Sequence, residues 1–241
     1  MLELKNYTKS YVKGKTIVDN LSLKVEEGDI YAFVGHNGAG KTTTIKSIVG
    51  ILEFDKGDIL IDNKSIKKNE IECKMKMAYI PDNPDLYEHL KGISYLNFIA
   101  DIYKVSKDKR EELIKKYADK FELTKNLGDP ISSYSHGMKQ KLAIISALIH
   151  EPKLLVLDEP FVGLDPKASH ILKEIMKEMV KNGTAIFFST HVLEVAEKLC
   201  NKIAIIKEGK IIVEGKMKDI IKDKSLEDIF MELVDEKPHK N

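Results

Sequence analysis

The chain has 241 residues, of which 43% are hydrophobic, enough to bury the core of one large α/β domain or of one domain with an insert. Its 39 Lys and Arg residues balance 38 Asp and Glu residues, so the formal net charge of +1 gives no general sign of nucleic-acid binding. No segment approaches about 18 consecutive apolar residues, the length that indicates a membrane-spanning helix.

The N-terminus and the cysteines indicate a cytoplasmic protein. Residues 1–5 lack the charged-then-apolar profile of a secretory signal peptide. Cys73 and Cys200 lie far apart and lack metal-ligand spacing, so we expect free thiols in a reducing compartment.

Three strands are predicted near the N-terminus, at residues 2–11, 16–25 and 30–34, from their β-branched and aromatic content. Because only short polar breaks separate them, we expect antiparallel pairing; a parallel return needs a longer crossover. A glycine-rich loop and then apolar residues at helical spacing follow the third strand.

The rest of the chain alternates strand and helix signals around a helical middle. From about residue 84 to 150 the spacing is helical, with Ser106 and Asp108 as candidate caps. One amphipathic stripe in this region contains Leu113, Ile114, Tyr117, Ala118 and Phe121. The other predicted elements are a turn at 55–58, strands at 59–61, 77–80 and 154–157, a helix ended by Asn182 and Gly183, a strand at 184–189 and a hairpin at 203–206 and 211–213.

These elements predict one α/β domain spanning residues 1–241. We expect an α/β core with an antiparallel β subdomain at 1–83 and 151–215, and a helical insert subdomain at 84–150. A C-terminal helical tail is predicted at 216–241, with its polar end at 235–241 frayed.

One glycine-rich stretch carries the strongest chemical signal. It is Gly35-His36-Asn37-Gly38-Ala39-Gly40-Lys41-Thr42-Thr43, which matches the P-loop pattern G-x-x-x-x-G-K-[ST]. Its glycines let the backbone approach an anion, so that successive N–H groups can line a phosphate-sized concavity. Lys41 can reach the β- and γ-phosphates, and Thr42 can ligate Mg²⁺. An ordinary glycine-rich turn is the alternative, but the strand before it and the helix after it favour the P-loop.

Polar residues also follow two predicted strands. Asp158 and Glu159 come directly after four apolar residues, at the strand end where open α/β sheets bind ligands. Asp158 suits Mg²⁺, and Glu159 can orient and deprotonate an attacking water. His191 follows the strand at 184–189 and can hydrogen-bond a γ-phosphate or hold Glu159 in register. Taken alone, these residues would more commonly be a solvated loop and a structural histidine.

A second possible anion site lies where Ser135 and Gly137 precede an apolar helical run at 142–149. Its alternative is an ordinary serine-capped helix, which periodicity does not separate from a binding site.

The order of these motifs resembles the nucleotide-binding subunits of ATP-binding cassette (ABC) transporters over nearly the whole chain. The matching elements, in family order, are Tyr11, the P-loop, Tyr79-Ile80-Pro81-Asp82, the Ser135 signature, residues 154–159, Gly163-Leu164-Asp165 and His191. The resemblance implies an ABC ATPase fold that binds ATP and Mg²⁺ and hydrolyses ATP.

The resemblance also implies a role for each matching residue. Tyr11 would stack on adenine; the alternative is a half-buried strand tyrosine. The implied nucleotide-binding residues are Tyr11, Asn37, Gly38, Ala39, Gly40, Lys41, Thr42 and Thr43. The implied catalytic residues are Glu159 as general base, His191 as switch histidine and Lys41, and the implied metal ligands are Thr42, Asp82 and Asp158. The residues implied to act in trans on ATP held by a partner subunit are Ser135, Gly137, Met138 and Asp165.

Two positions depart from the usual family pattern. His136 replaces a glycine of the signature Leu-Ser-Gly-Gly-Gln, where it would add a donor or point outward. Asp82 replaces a glutamine, and an ionised Asp can only accept hydrogen bonds. With Tyr134-Ser135-His136-Gly137-Met138, this pattern resembles the subfamily that exports drugs, peptide antibiotics, sodium or lipids.

The implied partners are a second ABC ATPase subunit, in a homodimer or a heterodimer, and a separate membrane permease. Two ATP molecules would be sandwiched between head-to-tail chains, and the protein would be peripheral on the inner face of the cell membrane through its permease. Tyr87, Tyr95 and Phe98 would line the groove that receives the permease, or belong to the core. The alternative function is a soluble ABC ATPase acting on nucleic acid or ribosomes, which the balanced charge and the single cassette disfavour.

Overall fold

The computed structural model describes residues 1–12 and 14–235, and these form two sheets with surrounding helices. The strands are β1 (Leu2–Val12), β2 (Lys15–Val25), β3 (Ile30–Val34), β4 (Lys56–Ile61), β5 (Lys64–Ser65), β6 (Met77–Ile80), β7 (Leu154–Asp158), β8 (Ala185–Thr190), β9 (Lys202–Lys207) and β10 (Lys210–Lys216). The helices are α1 (Lys41–Ile48), α2 (Glu70–Lys74), α3 (Gly92–Ile102), α4 (Lys107–Lys120), α5 (His136–Leu148), α6 (Pro166–Lys181), α7 (Leu193–Leu199), α8 (Met217–Ile221) and α9 (Leu226–Asp235).

The larger sheet has the order β10-β9-β3-β8-β7-β6, with parallel pairing from β9 through β6 and an antiparallel β9–β10 hairpin. Every residue of β3 and of β7 is buried, as expected for strands covered on both faces. In β3, Ile30, Ala32 and Val34 pack on the helical side, while Tyr31 and Phe33 pack on the opposite side. The sheet is therefore the middle layer, and the carboxyl ends of its parallel strands share one edge.

The smaller sheet is antiparallel, with the order β2-β1-β4-β5. The expected antiparallel pairing of the first two strands is confirmed, with Leu2 opposite Val25. The same expectation for the third strand is wrong, because β3 lies between β8 and β9 of the larger sheet. All residues of β3 are hydrophobic, which suits a sheet that is covered on both faces better than a sheet with one face in solvent.

The predicted turn at 55–58 is also wrong, since β4 begins at Lys56. The pairing of β1 with β4 is irregular between Lys5 and Thr8, and Gly57 there has a φ of 82°. A bulge with a left-handed glycine lets a turn-like sequence continue as a strand. The short elements β5, α2 and α7 were not predicted, because each spans too few residues to show a clear period.

The helical region packs mainly through α5, most of whose residues are buried against the larger sheet and against α3 and α4. The predicted stripe on α4 is buried. Ser106 is at the N-cap of α4, although its side chain makes no capping hydrogen bond. The helix predicted before Asn182 and Gly183 ends there, with Gly183 at a φ of 91°.

The C-terminal stretch folds back onto the core. Leu226 and Phe230 of α9 are buried, and the Leu226 N–H donates to Glu197 of α7 at 2.7 Å. The helix continues through Asp235, the first residue of the end that was predicted to fray, and residues 236–241 lie outside the described residues. Across the part of the chain that the structure describes, no helix is both long and apolar enough to span a membrane.

Candidate nucleotide-binding site

The register of the larger sheet brings the sequence motifs to one edge. Asp158 at the end of β7 is opposite Ser189 of β8, and Thr190 of β8 is opposite Val34 at the end of β3. The segments that begin at Glu159, at His191 and at Gly35 therefore leave the sheet side by side. Stretches distant in the sequence form one site because their strands are parallel neighbours.

The next strand brings a fourth segment to the same edge. Ile80 at the end of β6 is opposite Leu157 of β7. Asp82 follows two residues later, is exposed, and accepts a hydrogen bond from the Asn83 N–H at 2.9 Å. Burial raises the pKa of Asp158, and the nearby Asp82 carboxylate adds to that shift.

The P-loop turns sharply into α1 at Gly40, which has a φ of 109° and is the N-cap residue. A β-carbon at Gly40 would lie 2.9 Å from Cγ2 of Val18, so both the backbone conformation and the space require glycine. The first N–H groups of a helix lack intrahelical acceptors, and the helix dipole adds positive potential. The N–H groups of residues 41–43, which precede the first intrahelical bond from Thr44, are therefore available to a phosphate.

Lys41 is almost fully buried beneath this loop. Its Nζ donates to the carbonyl oxygens of Gly35 at 2.7 Å and of His36 at 3.3 Å, and lies 3.8 Å from Oε1 of Glu159. Burial lowers the pKa of Lys41, and the negative charges of Glu159 and Asp158 oppose that shift. The ammonium group therefore lies between the loop and the acidic end of β7.

Glu159 joins the P-loop to the end of β8. Its φ of 48° is unusual for a residue with a side chain, and such strain is common at functional sites. Its N–H points to Ser189, with Oγ at 3.1 Å and the carbonyl oxygen at 3.3 Å. Its Oε1 is 3.0 Å from Nδ1 of His191, and its Oε2 accepts from the His191 N–H at 3.3 Å. The carboxylate is thus held by two contacts with His191 and by the nearby charge of Lys41.

Asp158 has the donor chemistry of a magnesium ligand. One carboxylate oxygen accepts a hydrogen bond from the Ser189 hydroxyl, while Oδ2 is buried without a hydrogen-bond partner of normal geometry. Burial raises the pKa of Asp158, and the hydroxyls of Ser189 and Thr42 oppose that shift. Mg²⁺ prefers one or two carboxylates plus phosphate oxygens and water, so an unpartnered oxygen beside a hydroxyl fits this ion. No group of three or more His, Cys, Asp or Glu side chains with metal-binding geometry occurs among the described residues.

Tyr11 lies at the open rim of the site. It is 58% exposed, so the alternative of a half-buried strand tyrosine does not describe it. Its Oη is 3.3 Å from Oγ1 of Thr43. An exposed ring beside the start of α1 has the position that the predicted adenine contact requires, and that role stays a prediction.

The four residues predicted to act in trans form a separate cluster. Ser135 caps α5 by accepting from the Met138 N–H at 3.3 Å, and Asp165 caps α6 by accepting from the Ala168 N–H at 2.8 Å. Lys141 Nζ is 2.9 Å from Oδ2 of Asp165, which ties the two helix starts together. Within residues 1–12 and 14–235, none of the hydrogen bonds or ion pairs of Ser135 or Asp165 involves residues 35–43.

Two residues at this edge, Ser189 and His36, make contacts that were not predicted from the sequence. Ser189 contacts both Asp158 and the Glu159 N–H, and its polar side chain at the end of an apolar strand was the available signal. The His36 ring of the P-loop packs edge-on against Phe230 of α9, with centroids 4.9 Å apart. No local pattern links His36 with Phe230, because they are far apart in the sequence.

Comparisons with known proteins identify the family of the chain. Residues 18–162 match the family model described as "ABC transporter". The uncharacterized ABC transporter ATP-binding protein YhcH of Bacillus subtilis is 40% identical over 221 residues, covering 91% of this chain and 71% of that protein. The Nod factor export ATP-binding protein I of Cupriavidus metallidurans is 32% identical over 221 residues, covering 92% of this chain and 73% of that protein.

A solved structure described as the ATP binding subunit of an ABC transporter superposes with a TM-score of 0.93. It is 35% identical, and the match covers 97% of this chain and 99% of that one. The predicted ABC ATPase fold, with an α/β core, an antiparallel sheet and additional helices, is confirmed by this likeness and by the two observed sheets. The chain therefore belongs to the ABC transporter family, as an ATP-binding subunit.

Proposed function

We propose that this chain hydrolyses ATP as one half of a head-to-tail pair, and that the pair drives export of a substrate through a separate membrane permease. The proposed hydrolysis rests mainly on the contacts among Lys41, Glu159 and His191 at the edge of the larger sheet. A group suited to bind phosphate and a group suited to act as a general base therefore lie side by side.

The chemistry follows from these positions. The γ-phosphate of ATP would lie over the start of α1, with Lys41 turned from the loop carbonyls toward it. The Glu159 carboxylate would accept a proton from a water whose oxygen bonds to the γ-phosphorus, while the bond to the bridging oxygen breaks and releases ADP. His191 would keep the carboxylate aimed at that water. Bound Mg²⁺, held by Asp158 and Thr42 with Asp82 nearby, would neutralise phosphate charge.

The pairing part is supported by the separate cluster at the starts of α5 and α6. The first N–H groups of α5, at His136 and Gly137, are suited to an anion. Ser135, Gly137 and Met138 would bind the γ-phosphate of ATP held by the partner copy, and Asp165 would lie at the same junction. A second copy, or a related chain, placed head-to-tail would bring such an anion to this helix end.

The permease part is supported by an apolar patch on the helical region. Tyr87 and Phe98 are exposed at 52% and 43%, and their rings pack edge-on at 5.8 Å. Tyr95 is buried beneath them, so of the three predicted groove residues it belongs to the core. A relative named for Nod factor export favours outward transport for this chain too.

A co-purification experiment tests the permease part. A tagged chain isolated from detergent-treated membranes of its source should carry along a polytopic membrane protein. Replacing Tyr87 and Phe98 with alanine should remove that protein, while replacing Met231, which is 49% exposed on α9, should not. Membrane-isolated chain without any polytopic partner contradicts the proposal, as does equal recovery with all variants.

A further inference from the structure

The starts of α5 and α6 are in direct contact through a histidine and a glycine. A β-carbon built on Gly163 would lie 2.6 Å from Nε2 and 2.7 Å from Cδ2 of His136, so the imidazole ring lies directly against Gly163. Gly163 has a φ of 79°, which also favours glycine. A β-carbon on Gly137 would lie 3.3 Å from the carbonyl oxygen of Gly163. The two segments are therefore packed, rather than merely adjacent.

The segment that His136 touches leads directly from Glu159. Residues 159–165 form a tight turn, in which the Val162 N–H donates to the Glu159 carbonyl at 3.1 Å. Phe161 of this segment packs edge-on against Phe188 of β8, with centroids 6.1 Å apart. Because the hydrogen bond from Val162 closes the turn between Glu159 and Gly163, we expect a displacement of Gly163 to reach Glu159.

We propose that His136 is a positioning residue for ATP hydrolysis, whose imidazole ring on Gly163 holds the turn at 159–165, and with it Glu159, in register with the start of α5. This rests on the proposed function, in which the start of α5 contacts ATP held by the partner copy, whereas Glu159 acts on ATP held by its own chain. His136 thereby connects these two sites within one chain. A glycine at position 136 would remove the ring that carries this connection.

Kinetics of four variants test the effect on hydrolysis. His136→Gly should lower kcat on the order of 10-fold, since small displacements of reacting groups are costly, and should leave the dissociation constant for ATP unchanged. His136→Phe should recover most of the activity, because a ring of similar size again lies on Gly163. Gly163→Ala should be harmful in the presence of His136 and less so in the His136→Gly background, where only the backbone strain remains.

An activity-independent measurement tests the contact itself. In protein labelled with ¹⁵N-glycine, the Gly163 amide signal should shift between wild type and His136→Gly through loss of the ring current, and should shift less in His136→Phe. Any one of three results overturns the inference. They are a wild-type kcat in His136→Gly, effects of the two substitutions that simply multiply in the double variant, and a Gly163 signal that does not move. A wild-type chain that binds no ATP contradicts the proposed function instead, and the Gly163 signal then still decides whether the contact exists.

Discussion

His191 contacts both carboxylate oxygens of Glu159, although the two residues lie 32 positions apart in the sequence. Nδ1 of His191 is 3.0 Å from Oε1 of Glu159, and the His191 N–H donates to Oε2 at 3.3 Å. The parallel pairing of β7 with β8 allows this contact, because Glu159 and His191 follow Asp158 and Thr190 at the same sheet edge. Strand register therefore brings the proposed base within reach of the residue that orients it.

His191→Ala should lower kcat while leaving ATP affinity close to wild type, because the substitution removes one of the groups that orient Glu159. Combined with Glu159→Gln, it should add little further loss, since the two residues act as a unit. Steady-state ATPase assays and a fluorescent-nucleotide titration measure both quantities. His170→Ala, an exposed change on α6, is the matched control. If the losses in kcat from the two single substitutions multiply fully in the double variant, His191 does not act through Glu159.

Lys41→Ala should abolish measurable ATP binding. The substitution removes the positive charge beneath the loop and leaves the carbonyl oxygens of Gly35 and His36 without their donor. Isothermal titration with ATP checks the loss, and a circular dichroism melt checks that the variant is folded. Lys177→Ala on the exposed side of α6 provides the control. Normal ATP affinity in folded Lys41→Ala would refute the P-loop assignment.

Stability should fall as the pH drops from 6.5 toward 4, in part because of His150. Burial lowers the pKa of His150 from 6.5 to about 4 in the folded chain, where its ring stacks on Tyr103 at 3.6 Å and its Nε2 lies 3.2 Å from the Met77 carbonyl. Between these pH values the unfolded chain binds a proton that the folded chain does not, so the unfolded state gains stability. Above pH 6.5 the contribution of His150 is fully present, and a pKa difference of this size corresponds to about 3 kcal/mol lost by pH 4.

His150→Phe separates this effect from other titrations. The variant should retain a stacked ring but lose the hydrogen bond to Met77, at a cost of about 1 kcal/mol at neutral pH. Its unfolding free energy, from urea titrations across the acid range, should then depend less on pH than that of wild type. His170→Gln should keep the wild-type slope. An unchanged slope in His150→Phe would show that the half-buried His150 ring is not the source of the pH dependence.

Sequence patterns were sufficient for the elements whose residues carry a local signal. The P-loop context, the apolar strand before Asp158 and the stripe around Leu113 were recognised because each is contiguous in the sequence. The membership of β3 in the larger sheet was not predicted, because the short breaks in the sequence pointed to pairing with its neighbours in the chain, and only the lack of a polar position in β3 pointed to burial of both faces. The contacts of His136 with Gly163 and of His36 with Phe230 likewise depend on tertiary packing alone.

Replacement of Glu159 tests both its proposed role as general base and the proposed pairing of two chains. Glu159→Gln keeps the size of the side chain and removes its capacity to accept a proton as a carboxylate, so hydrolysis should slow by about 10²- to 10⁴-fold while ATP binding persists. With hydrolysis blocked, Mg·ATP should convert the chain to a stable dimer, and Glu174→Gln, an exposed change on α6, should not do so.

The deciding measurement is the mass of Glu159→Gln by light scattering after size-exclusion chromatography, with and without Mg·ATP. A mass that doubles only with Mg·ATP, in a variant that turns over ATP far more slowly than wild type, is the predicted result. A variant that stays monomeric with Mg·ATP and hydrolyses it at the wild-type rate contradicts the account.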